Sequence, residues 1–384
     1  MRIIVVSFTF FPEVDGVANA AGQMVDFFVN AGHEVHVVTG NNRLPEAATN
    51  DRFEVHRFSV CENGEVDTSE AQSYIDFLIK SRPAVTVFHC WRSWPTDIAL
   101  KHISKIGGKK ILLSHGYETH TIYWHRRFPW GLWSWLQRLP EVFALPRQMA
   151  SFDQIVFLSE KTDGGRFFDS WVARKLGHPN ISVIPNAVNK ANWDKIPPDF
   201  KERHHMSDGT FFLCVANYSL RKNQLLALEA FCEAGIPDSS LVFVGSSLEG
   251  YGMEVRDKWI SLKDSHSNID VHFLEGLDRI EVISAIRSCD IFVLSATAET
   301  QPISLLEAMA CGKPFISTDT GCVSEFKGGI VVSSMNGMVT EMQRLAANPG
   351  ERSKIGKEGK ECFDAEYSSP ACKRAWLELI EKIA

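Results

Sequence analysis

Short apolar runs rich in β-branched residues alternate with helix-patterned segments in two successive series, and this order constrains the fold more than any other feature of the chain. In the first series strands are expected at 2–8, 34–38, 53–57, 84–89, 109–114 and 154–158. Helical periodicity falls between them, from Val17 through Ala20, Met24 and Phe27 to Ala31, and near 69–80, 95–106 and 160–175. From Pro185 to Gly209 the periodicity lapses into a polar stretch with Pro197-Pro198 and the charged run Lys201–His205, the pattern of a linker. A second series follows, with strands expected near 210–215, 240–244, 270–274, 290–294 and 313–317. Helices near 337–347, 350–363 and 368–383 close the chain. Repeated βα order implies parallel sheets covered on both faces. The reading is two Rossmann-like domains, 1–188 and 189–366. In open α/β sheets ligands bind beyond the carboxyl ends of the strands, so two such sheets facing each other would hold a substrate in the cleft between them.

The composition permits this. Of 384 residues, 45% are hydrophobic and 23% charged, which excludes disorder and supplies enough apolar mass for two cores. The net charge of -7 has the wrong sign for a chain whose main task is neutralising nucleic-acid phosphates, so no nucleic-acid partner is expected. Nine cysteines without a C-x-x-C pair read as reduced core residues, and a reducing, cytoplasmic compartment follows. The opening run MRIIVVSFTFF is followed by Glu13 and Asp15, which suits a first buried strand better than a cleaved leader. No stretch approaches the roughly 20 apolar residues of a membrane span.

Chemistry concentrates in Ser295–Asp319, SATAETQPISLLEAMACGKPFISTD. Pro302 suits the first turn of a helix and Gly312 its end. Glu299 then lies in the entering loop and Glu307 about a turn and a half inside. The helix entry formed by Thr300, Gln301, Pro302, Ile303 and Ser304, with backbone N–H groups on all but the proline, suits a diphosphate. Carboxylates do not favour phosphate, but they accept paired hydroxyl hydrogen bonds, so two glutamates flanking such an entry suit a sugar nucleotide. The plainer reading of the spacing alone is a capping Glu299 and a solvated Glu307. Gly16 stands where a backbone approaching a diphosphate could carry no side chain, or simply where the chain turns tightly. Neither G-x-G-x-x-G nor G-x-x-x-x-G-K-[ST] occurs, which disfavours dehydrogenase and P-loop chemistry.

The whole stretch resembles the signature of the family 4 retaining glycosyltransferases of GT-B fold, through Glu299, Leu306-Glu307-Ala308-Met309-Ala310 and Cys311-Gly312-Lys313-Pro314. Further matches occur in the family's order: Phe11-Pro12 and Gly16, Gly32-His33-Glu34-Val35, Ser114-His115-Gly116, Val183–Val188 and Val244-Gly245. The resemblance implies transfer of a sugar from a nucleotide-diphosphate donor to an acceptor hydroxyl with retention, without metal or other cofactor, in polysaccharide or glycolipid synthesis. It implies that the second domain holds the donor and the first the acceptor, and that the last helix, 367–384, completes the first domain. By the same resemblance Glu307 meets the donor ribose, Glu299 the transferred sugar, Lys222 the diphosphate, and His115 the sugar ring or developing charge. His89 and Glu118 are weaker neighbours.

Two features depart from that pattern or add to it. The family's Gly-Arg pair is replaced by Ala216-Asn217, so Arg221 is the available substitute, and a catalytically silent sugar-nucleotide-binding subunit is the alternative. Residues 121–150 hold Trp124, Trp130, Trp133 and Trp135 with Arg126, Arg127, Arg138 and Arg147 against Glu141 alone. Such a segment suits a lipid-linked acceptor or a peripheral contact with the inner face of a membrane, and equally an aromatic helix packed on its own domain.

Overall fold

The computed structural model describes residues 1–13, 15–40, 52–59, 67–117, 130–162 and 166–384, with the side chains of 130–139 not described. The chain divides into two compact units, Met1–Ala187 with Cys372–Ala384, and Val188–Ala371.

In unit 1 the elements run β1 (Arg2–Val6), α1 (Gly16–Val29), β2 (Glu34–Gly40), β3 (Glu54–Phe58), α2 (Thr68–Lys80), β4 (Val85–His89), α3 (Trp94–Leu100), β5 (Lys109–Leu113), α4 (Trp130–Met149), β6 (Gln154–Phe157), α5 (Phe168–Lys175) and β7 (Ile181–Val183). The strands form one parallel sheet in the order β3-β2-β1-β4-β5-β6-β7. Its central strands bury every residue in runs such as Ile3–Val6, because helices cover both faces. One face packs Ile3, Val5 and Val87 against Met24 and Phe28 of α1; the other packs Ile4, Val6 and Phe88 against Tyr74 and Leu78 of α2.

Unit 2 begins with α6 (Phe200–Arg203) and continues β8 (Phe211–Val215), α7 (Gln224–Ala234), β9 (Ser239–Gly245), α8 (Tyr251–Leu262), β10 (Ile269–Glu275), α9 (Arg279–Ser288), β11 (Ile291–Leu294), α10 (Ile303–Ala310), β12 (Phe315–Thr318), β13 (Gly329–Val332), α11 (Met335–Ala347) and α12 (Pro349–Cys362). Its parallel sheet has the order β10-β9-β8-β11-β12-β13. After a π-helical turn at Phe363–Tyr367 comes α13 (Ser369–Ile383). Its Cys372, Trp376, Leu379 and Ile380 are buried in the first unit's core, where the Trp376 ring meets Phe28 edge-on at 6.3 Å.

Two strands, β7 and β13, are absent from the sequence reading. They are three and four residues long, and their half-buried residues carry no clear period. The polar stretch 185–209 also differs from expectation. Rather than a free linker, most of it packs on unit 2: Phe200 is fully buried and stacks on Phe211, and Trp193 is nearly buried. Its charged side chains supply the contacts that its composition lacked in apolar ones, since Arg203 bonds Glu281 and Ser284.

Candidate functional site

In each sheet the strand order reverses once, between β1 and β4 in unit 1 and between β8 and β11 in unit 2. Loops that leave neighbouring strands on opposite sides of such a reversal open a crevice at the carboxyl ends. In unit 2 those loops carry Lys222, which follows β8, and Glu299, which follows β11.

The two side chains meet, with Lys222 Nζ 2.6 Å from Glu299 Oε1 and both largely buried. The loops are stitched by hydrogen bonds to backbone carbonyls that hold the pair: Thr297 N–H donates to Arg221 O at 2.8 Å, and Ser295 Oγ–H donates to Asn223 O at 2.8 Å. Thr320, after β12, accepts the Glu299 N–H at 2.9 Å. Gly321 sits at φ +55 with its Cα so close to the loop that a Cβ would lie 2.4 Å from Thr300 O. Glu299 is therefore an ion-pair partner, and the Pro302 N-cap of α10 takes no side-chain hydrogen bond.

Helix α10 is short because Gly312, at φ +68, turns the chain after Cys311. Its first internal bonds are donated by Leu305 and Leu306 to Pro302 O, so the N–H groups of Ile303 and Ser304 lie ahead of them at the positive end of the helix. Thr300 and Gln301 are buried in the entering loop. Glu307 is 5% exposed, which excludes a solvated carboxylate, and its Oε1 accepts from Arg279 Nη2 at 2.5 Å. Arg279 opens α9 and also lies over the Trp193 ring at 5.4 Å. Nothing in the sequence pointed to Arg279, whose link to Glu307 spans 28 residues of chain.

Arg221 is exposed, and its carbonyl rather than its guanidinium is what the neighbouring loop uses. Asn217 accepts the Ser246 N–H through Oδ1 at 3.3 Å, a strand-end clamp between β8 and β9.

In unit 1, Gly16 is the first residue of α1, behind the N-cap Asp15, whose carboxylate accepts from Val17 and Ala18 N–H at 2.8 Å. His115 follows β5 and stacks on His89, the last residue of β4, with ring nitrogens 3.2 Å apart. Burial lowers the His115 pKa to about 4, against the opposing pull of Asp15, and lowers His89 well below the usual histidine value. Both rings are neutral near pH 7, so His115 acts there as a hydrogen-bonding imidazole and carries no charge of its own. Asp169, buried on α5, accepts from Trp91 Nε1–H at 2.8 Å and Ser114 Oγ–H at 2.5 Å, and burial raises its pKa to about 6.

Glu118 and 121–129 lie outside the described residues, as do the side chains of Trp130, Trp133, Trp135 and Arg138. The segment 130–149 is the helix α4, with Glu141 paired to Arg92. Among the described residues no helix is long and apolar enough to cross a membrane, and eight cysteines are free.

The model of the family Glycosyltransferase Family 4 matches residues 14–192, and that of Glycosyl transferases group 1 matches residues 196–361. The chain is 21% identical over its full length to an alpha-monoglucosyldiacylglycerol synthase of Acholeplasma laidlawii, covering 98% of that protein. A shorter match, 21% identical over 57% of the chain and 59% of the relative, is an alpha-galactosylglucosyldiacylglycerol synthase of Streptococcus pneumoniae. Among solved structures, a sucrose-phosphate synthase of Thermosynechococcus elongatus superposes with a TM-score of 0.77 at 17% identity, over 99% of this chain and 98% of that one. The Anabaena protein HepE, in complex with UDP and glucose, superposes at 0.70 and 12% identity over the whole of both chains. These likenesses fix the fold as GT-B.

Proposed function

Because the chain belongs to the group 1 and family 4 glycosyltransferases, we propose that it is a retaining, metal-independent enzyme that moves a sugar from a nucleotide-diphosphate donor to the hydroxyl of a glycolipid or lipid-linked acceptor. The observation that carries the reading is the Lys222–Glu299 pair at the reversal of strand order, beside the open N-terminus of α10.

In this reading the diphosphate sits against the Ile303 and Ser304 N–H groups and draws Lys222 toward its oxygens. The cation and the helix dipole together stabilise the charge that grows as the diphosphate leaves, the task a metal performs elsewhere. Glu307 takes the ribose hydroxyls; its Oε1 is shared with Arg279, and a carboxylate has acceptor capacity beyond one such bond. Glu299, released in part from Lys222, accepts from hydroxyls of the transferred sugar. His115, as a neutral ring, is assigned to hydrogen-bond that sugar, and Gly16, which carries no side chain, to the approach of the diphosphate. In the transfer the acceptor oxygen bonds the anomeric carbon on the face from which the diphosphate departs. The anomeric C–O bond to phosphate breaks, and the acceptor's proton passes to the departing phosphate oxygen.

The lipid acceptor is supported by the names of the full-length and half-length relatives, and a uridine donor by the ligands named in the solved neighbours. The aromatic and arginine-rich segment 121–150 is assigned to the acceptor and to the inner membrane surface, with the protein in the cytoplasm.

A thermal-shift screen of nucleotide sugars and nucleoside diphosphates, followed by turnover with diacylglycerol or glucosyldiacylglycerol in mixed micelles, tests the reading. A ligand at one hundred times its dissociation constant adds about 2.7 kcal/mol to stability. A donor that binds without hydrolysis or transfer to any acceptor would point to a silent binding subunit, the role suggested by Asn217. No shift with any nucleotide would overturn the donor site.

A further inference from the structure

At the edge of the first sheet, on β2 and β3, three side chains converge with no part in the chemistry above. His36 on β2 pairs in register with Glu54 on β3, and Val38 with His56, so the alternation of the strands brings His36, Glu54 and His56 to one face. His36 Nδ1 lies 3.1 Å from His56 Nε2 and 3.3 Å from Glu54 Oε2, and His56 Nε2 lies 3.4 Å from Glu54 Oε2. A tetrahedral ion with bonds of about 2.0 to 2.1 Å holds its donors about 3.3 to 3.4 Å apart, so this triangle matches one face of such a tetrahedron.

The protons support the same conclusion. His36 Nε2 is 3.1 Å from Glu34 Oε1, an acceptor only, so the hydrogen of the neutral ring belongs on Nε2 and the lone pair of Nδ1 points into the triangle. Glu34 is itself anchored by Arg2 at 2.8 and 2.9 Å. A carboxylate that fixes the far nitrogen of a ligating imidazole is the usual outer partner of a metal-bound histidine. With both rings neutral, Nδ1 of His36 and Oε2 of Glu54 are two acceptors that share the one hydrogen of His56, and a bound cation would satisfy both. Phe77 of α2 walls the site, its ring 4.2 Å from that of His56.

We propose that His36, Glu54 and His56 bind one divalent transition-metal ion, zinc by the tetrahedral spacing of the two imidazole nitrogens and one carboxylate oxygen, which ties the edge strand β3 to β2. Three protein ligands leave the fourth position to water, on the side where the Glu54 side chain is 69% exposed. The role is structural and independent of sugar transfer.

The test uses the tag-free full chain, titrated with zinc against a chromophoric chelator and, separately, with cobalt(II) for its visible spectrum. One equivalent of zinc, a tetrahedral cobalt spectrum and a zinc-dependent rise in melting temperature are expected. His36→Ala combined with His56→Ala should lose all three, and Glu34→Gln should weaken zinc binding roughly 10- to 100-fold. Should the histidine variants fail to fold, Glu54→Gln carries the test, since its side chain is mostly exposed. Absence of stoichiometric zinc in the wild-type chain, or unchanged binding in the folded variants, would overturn the site.

Discussion

Glu299 and Glu307 differ in their partners, and that difference separates their roles. Glu307, tied to Arg279, is assigned to the departing half of the donor, and Glu299, tied to Lys222, to the transferred half. Glu307→Ala should therefore weaken nucleoside diphosphate and intact donor alike, whereas Glu299→Ala should leave the diphosphate nearly unaffected and lower kcat. Isothermal titration and initial rates measure both, and equal losses of nucleotide affinity would contradict the division. Lys222→Ala should weaken the nucleoside diphosphate by about 1.5 to 3 kcal/mol, more than Arg221→Ala. It also strands a buried carboxylate, so urea unfolding should show it destabilised by roughly 3 kcal/mol, with part of that loss recovered when Glu299→Gln is added. His115 supplies a pH signature. Its folded pKa of about 4 lies below the unfolded value near 6.5, so the unfolded chain binds more protons in that window and stability falls as pH drops from about 6.5 to 4. The contribution is on the order of 3 kcal/mol, and His89 adds in the same direction. Asp169 opposes it, because its pKa raised to about 6 makes the folded chain bind the extra proton and costs stability as pH rises through that value. Denaturant midpoints for His115→Gln should vary less between pH 4 and 6.5 than those of the wild type.

The loop–helix unit from Ser295 to Gly312 is held by the segment behind it as much as by its own sequence. Cys322 N–H donates to Thr300 O at 2.9 Å, and Gly321 allows that approach with its positive φ. Gly321→Ala would place a methyl group against Thr300 O in a conformation L residues rarely adopt. Destabilisation of about 1 to 3 kcal/mol is expected, together with a fall in kcat greater than that of an Ala substitution at the open Gly350, which meets nothing within 4 Å. Calorimetry and steady-state rates on the two variants measure it; matching kinetics would mean that the loop does not depend on this contact. Elements of this kind were legible in part. The proline and glycine that bound α10 stand in the sequence, because caps and breakers act within a few residues. The short strands β7 and β13 were not, since three or four half-buried residues carry too little period to read.

Over the whole molecule, the chain returns to its first unit through α13, which seals the core around Phe28 and Met24. Trp376 is 3% exposed, and Trp376→Ala should cost about 3 to 5 kcal/mol by the cavity it leaves. Because the contacts it loses belong to unit 1, hydrogen exchange should accelerate in β1, β2 and α1 while β8 and β11 stay as protected as before. Uniform loss of protection in both units would show that they unfold as one.

The sequence by itself determined the α/β class, the two series of strands and the motif with its glutamates, because periodicity, capping and turn chemistry are written in neighbouring residues. Tertiary structure alone decided which distant residues meet. Strand order set Lys222 against Glu299, packing brought Arg279 to the otherwise solvated-looking Glu307, and parallel register assembled His36, Glu54 and His56. Burial, which lowers His115 to about 4 and raises Asp169 to about 6, belongs to the same class. Each depends on segments tens of residues apart being brought together by the collapse of an apolar core, and no local pattern records which pairs that collapse selects.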